Sequence, residues 1–150
     1  MDVFGSTDPK KMPLHFFYRC LNINYATAVR ADINAQDFTV APRHWYIDAS
    51  FPCAQCKTEF VWSAQEQKTW FEEYRFYVDS QPTLCRECRA KRRNAIQLRK
   101  DYNALVAEAR LDGSTELKHR IVNIVDELEA YSHRIPAKMR ATRDLFRKSL

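Results

Sequence analysis

Two C-x-x-C pairs separated by 28 residues constrain the fold of this chain more than any other feature of its sequence; the four cysteines are Cys53, Cys56, Cys85 and Cys88. The turn within such a pair places both sulfur atoms on one side, so two pairs can complete the tetrahedral all-thiolate shell of a zinc ion. The alternatives are a disulfide or redox pair and an iron–sulfur cluster. Because the spacing gives neither alternative further support, it predicts one structural zinc ion bound by all four thiolates.

The start of the chain and its apolar content favour a cytoplasmic protein. The first residues, MDVFGSTDPKKMPL, include acidic side chains and lack the apolar segment of a secretory signal. No apolar run approaches the roughly 20 residues of a membrane-spanning helix, so we expect no membrane partner. In a reducing compartment, cysteine pairs are more often metal ligands than disulfides, which again favours zinc.

The sequence gives little support to a catalytic function. A zinc ion held by four thiolates has no open position for water or substrate, and no nucleophile elbow or metalloprotease motif is present. Cys20 is expected to be a buried apolar side chain; only composition favours a catalytic pairing with a histidine. His44 is expected to be a packed side chain rather than a neighbour of the zinc. We therefore expect that the protein is not an enzyme.

The residues before the second cysteine pair give uneven signals of secondary structure. We expect residues 1–14 to be disordered, residues 24–38 to form a short helix, and residues 43–51 to form a strand. The apolar run EFVW, residues 59–62, predicts a second strand.

A helix is expected to follow this second strand. Ser63, with Glu66 three residues later, predicts the helix start, and the aromatic side chains that follow fall on one helical face: Trp70, Phe71, Tyr74 and Tyr77. We expect Trp62, Trp70 and Tyr74 to belong to the core of the zinc-binding part of the chain.

From about Arg86 to the end of the chain the pattern is helical. Asp112 and Gly113 predict the end of a first helix, Ser114 caps a second, and Pro136 suits the first turn of a third. Apolar side chains at helical spacing predict the buried stripes, which are Leu98, Tyr102, Leu105 and Ala109, then Leu117, Ile121, Ile124, Leu128 and Tyr131, then Met139, Phe146 and Leu150.

Residues 46–93 combine several short motifs. They are an aromatic-x-Asp lead at Tyr46 and Asp48, the first cysteine pair, FVW-S-A-x-E-Q, the paired aromatics Trp70 and Phe71, and C-x-x-C-R. This combination resembles the probable treble-clef zinc-ribbon domain of small, mostly bacterial proteins. The resemblance implies that the first cysteine pair lies on a zinc knuckle, which is a tight turn that carries two metal-binding cysteines. It implies that the second pair lies at a helix N-terminus. It implies no particular activity.

One position departs from the pattern of such knuckles. They usually carry glycine after the second cysteine, where the backbone has a positive φ, and here Lys57 stands in its place. A non-glycine residue in that conformation costs about 1–2 kcal/mol, which metal binding can absorb.

These observations predict an α+β fold. We expect a treble-clef zinc module of short strands and a helix, followed by a C-terminal helical hairpin or small helical bundle. The expected domains are a disordered N-terminus over residues 1–14, the zinc module with its N-terminal extension over 15–93, and a helical region over 94–150.

The net charge of +5 comes mainly from residues 85–100, where seven basic residues stand against Glu87. A zinc ion with four thiolates is formally a dianion, and Lys57, Arg86 and Arg89 are expected to compensate it together with backbone N–H groups. Compensation of the zinc site does not explain the remaining basic residues of this segment, which are Lys91, Arg92, Arg93, Arg99 and Lys100.

Two functional hypotheses follow from this charge and from the helices. The first is a nucleic-acid-binding protein whose five remaining cations contact phosphates. Such contacts do not specify sequence, and residues 85–100 contain no aromatic side chain on which bases could stack. A simply solvated helix face is the alternative interpretation of the charge run. The second hypothesis is an adaptor for a protein partner, or a homodimer, that uses residues 114–150.

Overall fold

The computed structural model describes residues 8–11, 14–19, 21–132 and 134–150 of an α+β protein. Residues 1–7 and 12–13 of the predicted disordered N-terminus, together with Cys20 and His133, lie outside the described residues. The chain forms two compact units, Met1–Cys85 and Arg86–Leu150. The domain boundaries expected from the sequence stay predictions.

The first unit is built on a three-stranded antiparallel sheet. Its strands are β1 (Asn22–Arg30), β2 (Trp45–Pro52) and β3 (Glu59–Trp62), in the order β1-β2-β3. β2 is the central strand, with Asn22 opposite Ser50 on one side and Trp62 opposite Ala49 on the other. The strands predicted over residues 43–51 and 59–62 are confirmed.

The short helix predicted over residues 24–38 is wrong. Its first part belongs to β1, in which half-buried side chains such as Ile23 and Tyr25 alternate with exposed ones. This period of two is typical of a strand with one buried face. A register shift between Asn24 and Val29 interrupts the pairing, and Thr27 Oγ1 donates a hydrogen bond to the Asn24 carbonyl over 2.7 Å there.

A buried arginine lies at the centre of the first unit. Arg43 is 1% exposed, and its guanidinium carbon lies 4.9 Å from the ring centre of Phe17 and 4.5 Å from that of Phe71. Its Nε donates to the carbonyl oxygen of Val78 over 2.8 Å. Cation–π contacts of this kind stabilise a charge that burial would otherwise disfavour. The aromatic core therefore packs around a cation.

The helix after β3 is shorter than the aromatic pattern predicts. Ser63 Oγ accepts from the Glu66 N–H at 3.1 Å, which confirms the predicted cap. Helix α1 (Ala64–Lys68) continues as a π-helical turn over Thr69–Glu73 and ends there. Arg75 then has a φ of 54°, so residues 74–77 leave the helical face. The prediction of a core position is confirmed for Trp62 and wrong for Tyr74, which is 61% exposed; Trp70 is half-buried against the core.

The second unit consists of three helices, α2 (Arg86–Asp112), α3 (Thr115–Tyr131) and α4 (Ala137–Lys148). α2 ends before Gly113, which has a φ of 65°. Ser114 Oγ accepts from the Leu117 N–H at 3.4 Å and caps α3, and Pro136 directly precedes α4. The predicted end of α2 and the predicted start of α3 are confirmed, and α4 begins directly after Pro136 rather than including it in its first turn. None of the helices in the described part of the chain is long and apolar enough to cross a membrane.

The predicted apolar stripes meet in the core of the second unit. Its fully buried side chains include those of Ala109, Ile121 and Val125, with Met139 and Phe146 contributed by α4. Leu150 was expected in this core, but it is 46% exposed because α4 ends at Lys148 and the last residues leave the helix.

Candidate metal centre

The first cysteine pair lies in the turn that joins β2 to β3. Cys53 directly follows β2; its N–H donates to the Thr58 carbonyl oxygen at 2.9 Å, and its own carbonyl accepts from the Lys57 N–H at 3.0 Å. Lys57 has a φ of 64°, the conformation expected after the second cysteine of a knuckle. The hairpin therefore closes tightly and holds Cys53 and Cys56 on one turn.

The second cysteine pair lies at the start of α2. Cys85 precedes the helix and Cys88 belongs to its first turn. The Cys85 N–H donates to the sulfur of Cys53 at 3.3 Å, and the Ala54 N–H donates to the Thr83 carbonyl at 2.8 Å. These bonds join the knuckle to the segment that leads into the helix.

The four sulfur atoms have the spacing of a tetrahedral metal site. All four lie within 4.8 Å of one another, and the sulfurs of Cys56 and Cys85 are 3.9 Å apart. Zn–S bonds of about 2.3 Å in a tetrahedron require sulfurs about 3.8 Å apart, so a small inward movement completes the shell. An all-thiolate tetrahedral set suits Zn²⁺. The four cysteines therefore fit a structural zinc site.

Hydrogen bonds stabilise the thiolate forms of the knuckle cysteines. Burial raises the pKa of the Cys53 thiol, but the backbone N–H groups of Cys56, Cys85 and Gln55 outweigh this and lower that pKa to about 6. The pKa of Cys56 is also lowered, first by hydrogen bonds from Thr58. Metal binding requires deprotonated thiols. The hydrogen bonds of the knuckle therefore favour the thiolate forms that a metal ion binds.

The cations that the sequence placed near the zinc occupy different surroundings. Lys57 extends over the knuckle, where its Nζ donates to the Ala54 carbonyl at 2.8 Å. Arg86 is exposed and Arg89 is half-buried in the first turn of α2. Their role in compensating the charge of the metal site stays a prediction. The contribution that the sequence did not reveal is that of Thr58, because no side-chain motif encodes it.

No histidine or carboxylate belongs to the cluster within the described residues, because the group of possible ligands consists of the four cysteines. His44 instead lines a separate pocket of the first unit, together with His15. The five remaining cations of the basic run lie on α2 and are all exposed.

Lys57→Gly is expected to stabilise the zinc-loaded protein by about 0.5–1 kcal/mol. Glycine removes about 1–2 kcal/mol of backbone strain at a φ of 64°, and the greater freedom of the unfolded chain offsets part of this gain. The midpoint of urea-induced unfolding at a fixed excess of zinc measures the change. Lys57→Ala is the control, since it removes the Nζ–Ala54 bond but keeps the strain; equal midpoints for the two variants would contradict the strain argument.

The comparisons with known proteins agree with this geometry. A family model described as a probable treble clef domain matches residues 47–97, which include all four cysteines and the start of α2. No curated protein and no solved structure matches the chain. The knuckle, the helix start and the family match together identify residues 47–97 as a treble clef segment whose four cysteines fit a structural zinc site.

Proposed function

We propose that the protein is a zinc-stabilised, non-catalytic binding protein that contacts the phosphates of nucleic acid through residues 86–100 of α2. The observation that carries this proposal is a set of exposed cations without an opposite charge. Within the part of the chain that the structure describes, no ion pair involves the set, which comprises Lys91, Arg92, Arg93, Arg99 and Lys100.

The arginines of α4 provide an internal comparison. Arg143 pairs with Asp126 and Glu129, and Arg147 pairs with Asp126 at 2.6 Å. Hydrogen bonding to Glu129 raises the pKa of Arg143, as expected for a cation that is paired with a carboxylate. Arg143 and Arg147 of α4 are thus paired with carboxylates of the neighbouring helix, whereas the five cations of the set on α2 have no such ion pair among the described residues and keep their charge for an external anion.

The spacing of the cations along α2 arranges them in rows parallel to the helix axis. Arg86, Arg93 and Lys100 are seven residues apart, so they drift by only about 20° per step around the helix. They follow one face over about 21 Å. Arg92 and Arg99 form a second row on the flank. A polyanion that lies along α2 can therefore contact several cations at once.

The chemistry of these contacts favours binding without sequence preference. Arginine and lysine neutralise phosphates and displace counterions, which gives affinity that falls steeply with salt. Base recognition would need side chains that reach base edges, and the exposed positions of residues 86–100 are mainly charged. The uncharged exposed residues are Ala90, Asn94, Ile96 and Gln97, and the Gln97 side-chain amide already donates to Asp101 at 2.9 Å. The zinc site would then act by fixing the start of the binding helix.

A second candidate rests on exposed apolar side chains in the helical region. Leu145 and Leu150 on and after α4 are exposed, and both belong to the segment 114–150. They favour a protein partner or a second copy of the chain. Such association buries apolar surface and would persist at salt concentrations that abolish phosphate contacts.

The triple variant Lys91→Glu, Arg92→Glu and Arg93→Glu tests the proposal. It should keep its zinc content and its fold, because the three side chains are exposed, yet lose most of its affinity for duplex and single-stranded probes. For duplex DNA, each lost phosphate contact should reduce the slope of log K against log salt by about 0.9. Fluorescence anisotropy titrations at two salt concentrations measure both effects.

The matched control changes three exposed cations on the other helices, Arg120, Lys138 and Lys148, to glutamate. It has the same net charge as the triple variant and should bind nearly as the parent does. Equal loss in both variants would show that only net charge matters. Absence of binding by the parent protein would discard the nucleic-acid proposal and favour the partner-binding candidate.

A further inference from the structure

A pocket of about 600 Å³ opens in the first unit and is separate from the cysteine cluster. Its walls are mainly apolar and include Phe16, Ile33, Val40 and Pro42. The volume falls in the range of about 300–1,000 Å³ that small-molecule sites occupy. The pocket is therefore large enough for an organic ligand.

The walls of this pocket leave large apolar side chains uncovered. Val40 is 93% exposed and Phe16 is 55% exposed, although an aromatic core lies in the same unit. Clustered apolar exposure around a concave surface is typical of a binding site rather than of a solvated surface. A ligand with an apolar body would cover these side chains.

A histidine–aspartate pair supplies the polar part of the pocket. The side chain of His15 is 4% exposed, and its Nε2 lies 2.8 Å from Asp79 Oδ1. Its Nδ1 accepts the N–H of Phe17 at 3.2 Å, so the proton of the neutral ring is on Nε2 and is donated to Asp79. Burial lowers the pKa of His15, which keeps the ring neutral. Both ring nitrogens are thus engaged within the protein.

The orientation of this pair determines which group of a ligand the pocket can accept. His15 fixes one oxygen of Asp79, and the carboxylate is 43% exposed at the pocket. A carboxylate can only accept hydrogen bonds and carries a negative charge. The buried Arg43 is close enough to interact with Asp79 and offsets part of this charge. A ligand group that faces the carboxylate must nevertheless donate a hydrogen bond, which an ammonium group can do and a carboxylate cannot.

We propose that this pocket binds a small organic amine, with its apolar body against Phe16 and Val40 and its ammonium group on Asp79. His15 is a positioning residue that holds the carboxylate. The site is independent of the basic face of α2, because its lining residues lie between Leu14 and Asp79.

Two probes with the same apolar body test the proposal, 2-phenylethylamine and 3-phenylpropanoate. The amine should bind the zinc-loaded full chain about tenfold more tightly than the carboxylate, as expected for a hydrogen bond between charged groups. Amide chemical-shift titrations should place the perturbations at Val40, Ala41, Tyr77 and Asp79. Asp79→Asn should remove the preference for the amine.

Two further variants keep the test informative if Asp79→Asn disturbs the His15 pair. Val40→Lys adds a cation at a side chain that is almost fully exposed, and it should weaken amine binding without loss of fold. Glu73→Gln is the matched control, because it removes an exposed carboxylate of the same unit outside the pocket and should leave the preference unchanged. Equal affinity for both probes, perturbations elsewhere, or no binding of the amine would overturn the proposal.

Discussion

Cys85→Ser is expected to unfold residues 46–90, while the C-terminal helices keep most of their helical signal. Structural zinc contributes about 10–16 kcal/mol in small domains, whereas the total stability of a domain is only about 5–15 kcal/mol. Loss of the metal therefore removes the main source of stability from the knuckle and its surroundings. α3 and α4 depend instead on a buried apolar core that contains no cysteine, so they should persist.

Hydrogen exchange followed by mass spectrometry measures this result directly. Protection should disappear in β2, β3 and the knuckle and remain in α3 and α4, and an excess of chelator should do the same to the parent protein. Gln55→Ser is the control, since it changes an exposed side chain of the same turn and keeps all four thiols. Unchanged protection in Cys85→Ser would show that the fold does not need the metal.

Trp62→Ala is expected to reduce the free energy of unfolding by about 3–5 kcal/mol. Trp62 is fully buried on β3, and its ring packs edge-on against Phe17, Trp70 and Phe71 at centroid distances of 5.4, 5.2 and 5.8 Å. Truncation to alanine leaves a large cavity, because three rings lose their common neighbour and cannot all move inward.

Tyr74→Ala is the matched comparison for this cavity argument. Tyr74 is also aromatic and close in sequence, but most of its side chain is exposed. Its truncation should change the free energy of unfolding by less than about 0.5 kcal/mol. Urea denaturation of both variants with excess zinc measures the difference. Similar losses in the two variants would contradict the assignment of Trp62 to the core.

The helical half of the chain was predictable because its signals are local. Gly113, Ser114 and Pro136 mark helix ends through backbone conformation and capping bonds that involve only neighbouring residues. The cysteine spacing was equally informative, because four thiolates can surround one tetrahedral metal ion in only a few backbone arrangements. Leu150 was predicted incorrectly because periodicity cannot reveal that a helix ends two residues earlier.

The N-terminal half was less predictable because long-range contacts determine it. Among the described residues, β1 pairs with β2 alone, and its alanines and bulge obscure the alternation of Ile23, Tyr25 and Val29. Arginine is mostly found at protein surfaces, so the sequence gives no sign that Arg43 is buried. Its burial becomes favourable because aromatic rings from distant parts of the chain surround it. The pocket joins residues as distant as Leu14 and Asp79, so no local pattern could have indicated it.

Metal analysis of protein purified without chelators tests the central conclusion most directly. We expect one zinc ion per chain, and we expect chelation to release that ion and expose four further thiols to alkylation. These four are the thiols that lie within 4.8 Å of one another in the structure. A zinc content near zero, with all thiols already reactive in folded protein, would contradict the account.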